Sequence, residues 1–438
     1  MTHSTPKTMK LISFIALAGV LLWTVGLSGQ ELSPSDLELE LWTREEWLKN
    51  WTTRRERSGL TTHFDATYVF QGIAEGGFTG PFFPTFSDED DLGHTLSGDL
   101  RVELDTEKLG WWKGGTWMTR FHGRTGQSAV QRAGSVAAVN NEALFPNVEA
   151  NFDGNAFAIT EMTYRHAINE KVGIYGGLLN TSLGDKNEIA GEALSHQHFL
   201  NFAMLYSLVE DATVPHASLG GGIDFAPTED ISGSFSVFGS AETAGVNPFD
   251  RWHGTTFSTE WTFAHKLGER PGAQTFGFLY GINARRTDIA ADPRLVIISI
   301  VLGLPIPTTE SDTWAFYYNA HQFVRGDDSG GWGVFARWGI SDGNPNFVKQ
   351  NAALGVGGVG LFPSRKQDRW GLGTFFVDMS EEDLLKGLNV GDEFGGEVYY
   401  NIAVRPSLHI TLDAQVIDSA LPRVDTTWVF GVRTNYSF

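Results

Sequence analysis

The chain has 438 residues, 52 of them acidic against 32 basic, for a formal charge of −20. A mean field of that sign repels polyanions and argues against a chain built to coat nucleic acid or anionic lipid. With no cysteine there is no disulfide, thiolate catalysis, Cys-ligated zinc, iron–sulfur cluster or lipid-modified cysteine, and 51 glycines with 13% aromatics are unlike an ordinary cytosolic enzyme.

Residues 1–30 read as a signal peptide: Lys7 and Lys10 precede an apolar run over 11–22, with cleavage expected between Ser28 and Gln30. That run is shorter than the ~20 residues a spanning helix needs, so a retained anchor is the weaker reading. No later stretch is long and apolar enough to span; the most hydrophobic, 296–307, is short and carries proline. Residues 31–59 form an N-terminal periplasmic segment. Thr43 and Glu46 have capping-box spacing, Trp47, Leu48 and Trp51 make an apolar strip, and Arg54, Arg55 and Arg57 suit the C-terminal dipole before Gly59. A helix is predicted over 44–57, packed on a larger body.

From residue 60 onward, period-2 alternation replaces helical spacing. Sixteen segments qualify: 61–70, 96–105, 116–122, 157–166, 172–178, 217–225, 231–239, 257–263, 276–282, 313–323, 332–340, 346–354, 369–377, 394–404, 408–417 and 427–438. Segment 96–105 shows the pattern, with Leu96, Leu100, Val102 and Leu104 opposite Ser97, Asp99, Arg101, Glu103 and Asp105. The connections alternate between short (107–114, 169–171, 227–230, 405–407) and long, rich in Gly, Asn, Asp and Pro. Lipid leaves open sheet edges unsatisfied, so the sheet must close. Residues 60–438 are therefore expected to form a closed 16-stranded antiparallel transmembrane β-barrel, an all-β fold. A secreted solenoid or a set of sandwiches would alternate too, but would carry Lys, Glu and Thr outside rather than repeated Phe, Tyr and Trp. The last segment places Trp428, Phe430, Val432, Tyr436 and Phe438 on one face, an edge that invites aggregation unless another strand covers it.

Enzyme motifs are missing from the sequence: no HExxH, GxSxG, Walker loop, helix-opening GxGxxG or EF-hand loop occurs. The glycine run 355–360 lacks a following helix for phosphate and reads as a flexible strand end or turn. His196 and His198 read as a loop or wall pair rather than metal ligands. The acidic run 88–91 reads as a solvated loop, with calcium the weaker alternative. No cofactor is expected. The polar strand faces carry Asp99, Arg101, Glu103, Arg120, Glu161, Arg165, Glu260, Arg337, Glu397, Asp413 and Arg433. In a solvated lumen such charges are cheap to keep, and each alone reads as part of an ion-pair lattice. As a set they can narrow a passage and exchange hydrogen bonds with a solute. Arg101, Arg120, Glu161, Arg165, Glu260, Arg337 and Glu397 are the candidates for a mixed donor–acceptor constriction. Tyr175 and Phe335 are candidates to stack on a sugar ring.

Several stretches resemble the carbohydrate-selective (OprB-type) porins of Gram-negative bacteria. These are the amphipathic segment 42–59, the block 331–346 with Arg337 before a polar Asn/Pro loop, and the strand start 368–373 (Asp-Arg-Trp-Gly-Leu-Gly). They continue with Glu397-Val-Tyr-Tyr400, Val404-Arg-Pro406, Leu412-Asp-Ala-Gln415 and the closing strand to Phe438. Segments Leu48-Lys-Asn-Trp51 and Gly177-Leu-Leu-Asn180 depart from the family pattern. The resemblance implies passive, selective diffusion of small sugars across the outer membrane. It also implies outer-membrane lipid, lipopolysaccharide and the assembly machinery as partners, without nucleic acid, and leaves monomer and homo-oligomer both open. The alternatives are a general or ion-selective porin, and then a barrel enzyme or adhesin. An energy-coupled transporter fits poorly, since only residues 31–59 are free to form a plug.

Overall fold

The structure, a computed structural model, describes residues 58–79, 91–148, 154–309, 312–327 and 330–438. The signal sequence, the helix expected over 44–57 and residues 88–90 of the acidic run lie outside the described residues.

Sixteen antiparallel strands close into one barrel. The first half comprises β1 (Leu60–Gly77), β2 (Leu92–Asp105), β3 (Gly115–Gln127), β4 (Ala156–Asn169), β5 (Val172–Asn180), β6 (Ala217–Thr228), β7 (Ile231–Gly239) and β8 (Thr255–Leu267). The second half comprises β9 (Arg270–Ile282), β10 (Thr313–Asp327), β11 (Gly330–Ser341), β12 (Val348–Val359), β13 (Arg369–Met379), β14 (Glu393–Arg405), β15 (Leu408–Asp418) and β16 (Asp425–Ser437). Each strand pairs with its neighbours in sequence, and β16 returns to β1 in a register from Asp65↔Ser437 to Gly77↔Asp425. The seam is fastened at its end by Phe64 and Phe438, which exchange N–H···O bonds of 2.8 and 3.0 Å. Closure removes the edge that an aromatic last strand would otherwise expose.

All sixteen expected segments are strands, and most run further than the alternation predicts. Strand β1 continues past residue 70 to Gly77, in unbroken register through Ile73 and with register shifts between Ile73 and Glu75 and again before Gly77. Of the two readings of the glycine run beginning at Gly355, the strand end holds: it is the paired end of β12, with Gly355 opposite both Phe335 and Gly373.

Side chains alternate across the wall. Strand β13 turns Leu372 (54% exposed) and Phe376 outward and buries Phe375 and Val377; β16 turns Trp428, Phe430 and Val432 outward and buries Val429, Arg433 and Asn435. In water this outer band would be an aggregation surface; in a bilayer it is the lipid contact.

The lumen is not simply solvated. The described residues of two long loops, L2 (128–148 and 154–155) and L3 (181–216), fold back inside. Val139 and Phe145 of L2 and Phe199, Phe202, Met204 and Leu205 of L3 share one buried cluster with the inward Tyr317, Phe335, Phe375, Tyr399, Ile417 and Val429. Phe199 stands edge-on to Phe335 and Tyr399, at 5.5 and 4.8 Å between ring centres. Inward glycines make room for it: a Cβ on Gly371 would lie 2.7 Å from the Phe199 ring.

Candidate functional site

Inward polar side chains of the wall β10–β16 hold these loops, and those of the early strands pair largely with one another. Arg337 of β11, 2% exposed, donates to the carbonyls of Met204 (3.1 Å), Asp185 (2.9 Å) and Gly191 (2.9 Å). It also pairs with the Asp185 carboxylate. Glu397 of β14 accepts the backbone N–H groups of Leu200 and Asn201 at 2.7 and 2.8 Å. Four residues earlier, Glu393 accepts from Ser135 Oγ and the N–H groups of Val136 and Ala137 in L2. Arg433 of β16 donates to the His198 carbonyl. On the early strands, Arg120 grips Asp99 through Nε at 2.8 and 2.9 Å. Arg101 pairs with Glu103 on its own strand at 3.0 Å. Phe335, 3% exposed beneath Phe199, offers no face to a solute.

The open space lies on the other side, along β4–β9. A cavity of about 520 Å³ runs from the β4–β5 turn at Glu170 and Lys171 to the underside of L3 at Leu183, Gly184 and Glu210. Hydroxyls line its wall, including Thr163, Tyr175, Ser232, Ser234, Ser236 and Thr262. The reason is visible in β7, where the serines take alternate positions and Phe235 faces outward. At the middle, Arg165 and Asp224 pair at 2.8 Å with both side chains 43% exposed. The Arg165 guanidinium rests 4.6 Å over the Tyr175 ring, whose hydroxyl bonds Ser236 at 2.6 Å. Glu260 accepts from the Tyr317 hydroxyl (2.6 Å) and the Asp185 N–H (2.8 Å).

Of the seven charged residues expected at a constriction, the structure brings Glu161, Arg165 and Glu260 to this one cavity. Arg120, Arg337 and Glu397 are buried at loop or strand contacts, and Arg101 stands apart from the cavity lining. Sequence reasoning missed Asp224, Glu210, Tyr317 and Glu393. Asp224 lies on the polar face of the expected segment 217–225 and Glu393 one residue before 394–404, so alternation alone reaches both; Glu210 sits in a loop whose inward course no local signal reveals.

The loop groups sense this interior. Burial opposes a charged His196, but Glu142 at 2.7 Å, with Asp99 and Asp65 beyond, holds its pKa well above the ordinary 6.5. Burial likewise opposes ionisation of Glu142, yet His196 draws its pKa below 4.5. For Glu210, burial and the nearby Asp185 and Glu260 carboxylates act together and push it well above the usual carboxylate range. Among the described residues no cluster of His, Asp and Glu has the geometry to hold a metal ion.

Residues 91–438 match the family described as carbohydrate-selective porin, OprB family. The chain belongs to the OprB family of carbohydrate-selective porins. Fold comparison agrees. The high-pH structure of Pseudomonas putida OprB is 18% identical with a TM-score of 0.73, covering 89% of this chain and 97% of that one. The low-pH structure of the same protein is 14% identical, with a TM-score of 0.56 over 89% and 96% of the two chains. The outer membrane channel DcaP of Acinetobacter baumannii, 10% identical over 86% of this chain and 97% of its own, reaches 0.50. No curated protein matches in sequence. As an OprB-family porin the protein is an outer-membrane channel rather than an enzyme, and it passes carbohydrates by passive diffusion.

Proposed function

We propose that sugars cross this porin along the β4–β9 side of the barrel, beneath L3, rather than through a central lumen. The observation that carries this reading is the hydroxyl-lined cavity with the half-exposed Arg165–Asp224 pair at its middle. The guanidinium offers rigid donors and the carboxylate accepts from vicinal hydroxyls, so together they match a polyhydroxyl solute without favouring a net charge. Glu260 adds an acceptor next to them and Glu161 lies buried behind the wall, whereas Arg337 and Glu397 act on the solute only through L3. Tyr175 serves to fix the Arg165 guanidinium, because the cation covers its ring.

In the same reading, residues 1–30 direct export and are removed. Residues 31–59 place a short helix on the periplasmic side, and the aromatic last strand is recognised by the outer-membrane assembly machinery before the barrel meets lipopolysaccharide. The test of the passage is solute flux in liposomes, comparing a neutral hexose with amino acids and salts of matched size. The parent should favour the hexose, and Arg165→Ala with Asp224→Ala should reduce that preference. Unchanged preference in the double variant would move the selective contacts elsewhere.

A further inference from the structure

We infer that the passage excludes acidic sugars, admitting neutral hexoses and amino sugars while holding back hexuronates and sugar phosphates. This rests on the β4–β9 passage proposed above and adds a charge rule to it.

The argument is a pairing of charges. Three arginines lie on or near the passage, and each already has its own carboxylate: Arg120 with Asp99, Arg165 with Asp224, Arg337 with Asp185. Lys171, in the turn at one end of the cavity, stands beside Glu170 and donates Nζ to the Pro227 carbonyl at 3.0 Å. Among the described residues, three carboxyl groups bordering the cavity form no ion pair of their own: Glu161, Glu210 and Glu260. Glu260 is served only by neutral donors, the Tyr317 hydroxyl and the Asp185 N–H. Glu161 and Glu210 are 1% and 4% exposed, yet Oε2 of each has no hydrogen-bond partner. Those oxygens are buried at the cavity wall and out of a solute's reach, so they act on it through their field rather than by direct contact. Burial, and after it the nearby Asp185 and Glu260 carboxylates, favour a proton on Glu210, so the field at the cavity comes chiefly from the other carboxylates that border it. A second anion entering the cavity meets the same field, at short range and away from bulk screening.

The experiment uses the full-length porin in liposomes at pH 7. It compares entry rates of a neutral hexose, its 2-amino derivative and the corresponding hexuronate. The hexuronate should enter about tenfold more slowly than the hexose, the factor given by about 1.4 kcal/mol. The amino sugar should enter at least as fast as the hexose. The ratio of hexuronate to hexose flux should rise in Glu260→Gln combined with Glu161→Gln. If that variant fails to fold, the parent ratios still decide. Hexuronate flux equal to or above hexose flux, with hexose flux intact, overturns the charge rule alone. Hexose flux no higher than in protein-free liposomes instead overturns the passage reading, and the charge rule with it.

Discussion

Arg337 shows how one side chain can decide the shape of a pore it does not line. Its guanidinium replaces, for three L3 carbonyls and one carboxylate, the partners that water or secondary structure would supply. Arg337→Ala leaves those acceptors buried and the Asp185 charge unpaired, an expected loss of about 3–5 kcal/mol. Urea titration of the folded barrel should show that loss, and single-channel recording should show a larger, noisier conductance as L3 loosens. Unchanged conductance would mean that L3 is held without it. The His196–Glu142 pair makes a second prediction, on pH. A histidine whose pKa is raised above 6.5 contributes fully below that value, and its contribution fades as pH climbs through the folded pKa. A glutamate lowered below 4.5 contributes above that value and loses its effect as pH falls through the folded pKa. The contact between L2 and L3 should therefore be strongest between about pH 4.5 and 6.5 and weaken under more alkaline or more acidic conditions. Current noise recorded against pH tests this. In His196→Gln the alkaline rise should vanish; its persistence would point to another group.

Among the elements, the strands and the inward loops differ in how far local residues specify them. A strand at a lipid–water wall must alternate, so β16 declares both faces in its own residues, Phe430 and Val432 against Gly431 and Arg433. The residue that follows it closes the seam. Phe438 bonds Phe64 through both backbone groups and sets its ring 5.4 Å from that of Phe64. Phe438→Ala keeps the backbone bonds but removes the aromatic contact, so inserted protein per cell should fall while selectivity of the inserted fraction stays as in the parent. Phe438→Tyr should restore insertion. Equal insertion of the alanine variant would make the terminus an ordinary chain end. L3 has no such local signature. Its Leu200–Asn201 turn is shaped by Glu397, nearly two hundred residues away, and its Phe199 fits because Gly371 has no side chain. Glycine at 371 reads in sequence as a weak strand residue. Only the approach of L3 explains it.

At the scale of the whole molecule the barrel has two solvents, lipid outside and a packed interior on one side of the lumen. A charge placed on the outer band tests the first: Leu372→Arg, near the middle of β13, should cost about 2–4 kcal/mol in vesicles. An unaltered unfolding midpoint in urea would show that this face does not meet the hydrocarbon. The sequence alone determined the class of fold, the strand number and which residues face out. Alternation is a local response of every strand to a wall with lipid on one side, so it is written residue by residue. Even there it broke down where β1 slips register after Ile73. It also established which charges face in, Arg165, Glu260, Arg337 and Glu397 among them. The tertiary structure alone decided which of those charges meet a solute. That depends on where L2 and L3 come to rest, and their positions are fixed by hydrogen bonds and ring contacts between residues far apart in the chain. Arg337 and Arg165 are alike in their strands, each an inward arginine. One lies under a loop and the other beside an open cavity, and only packing separates them.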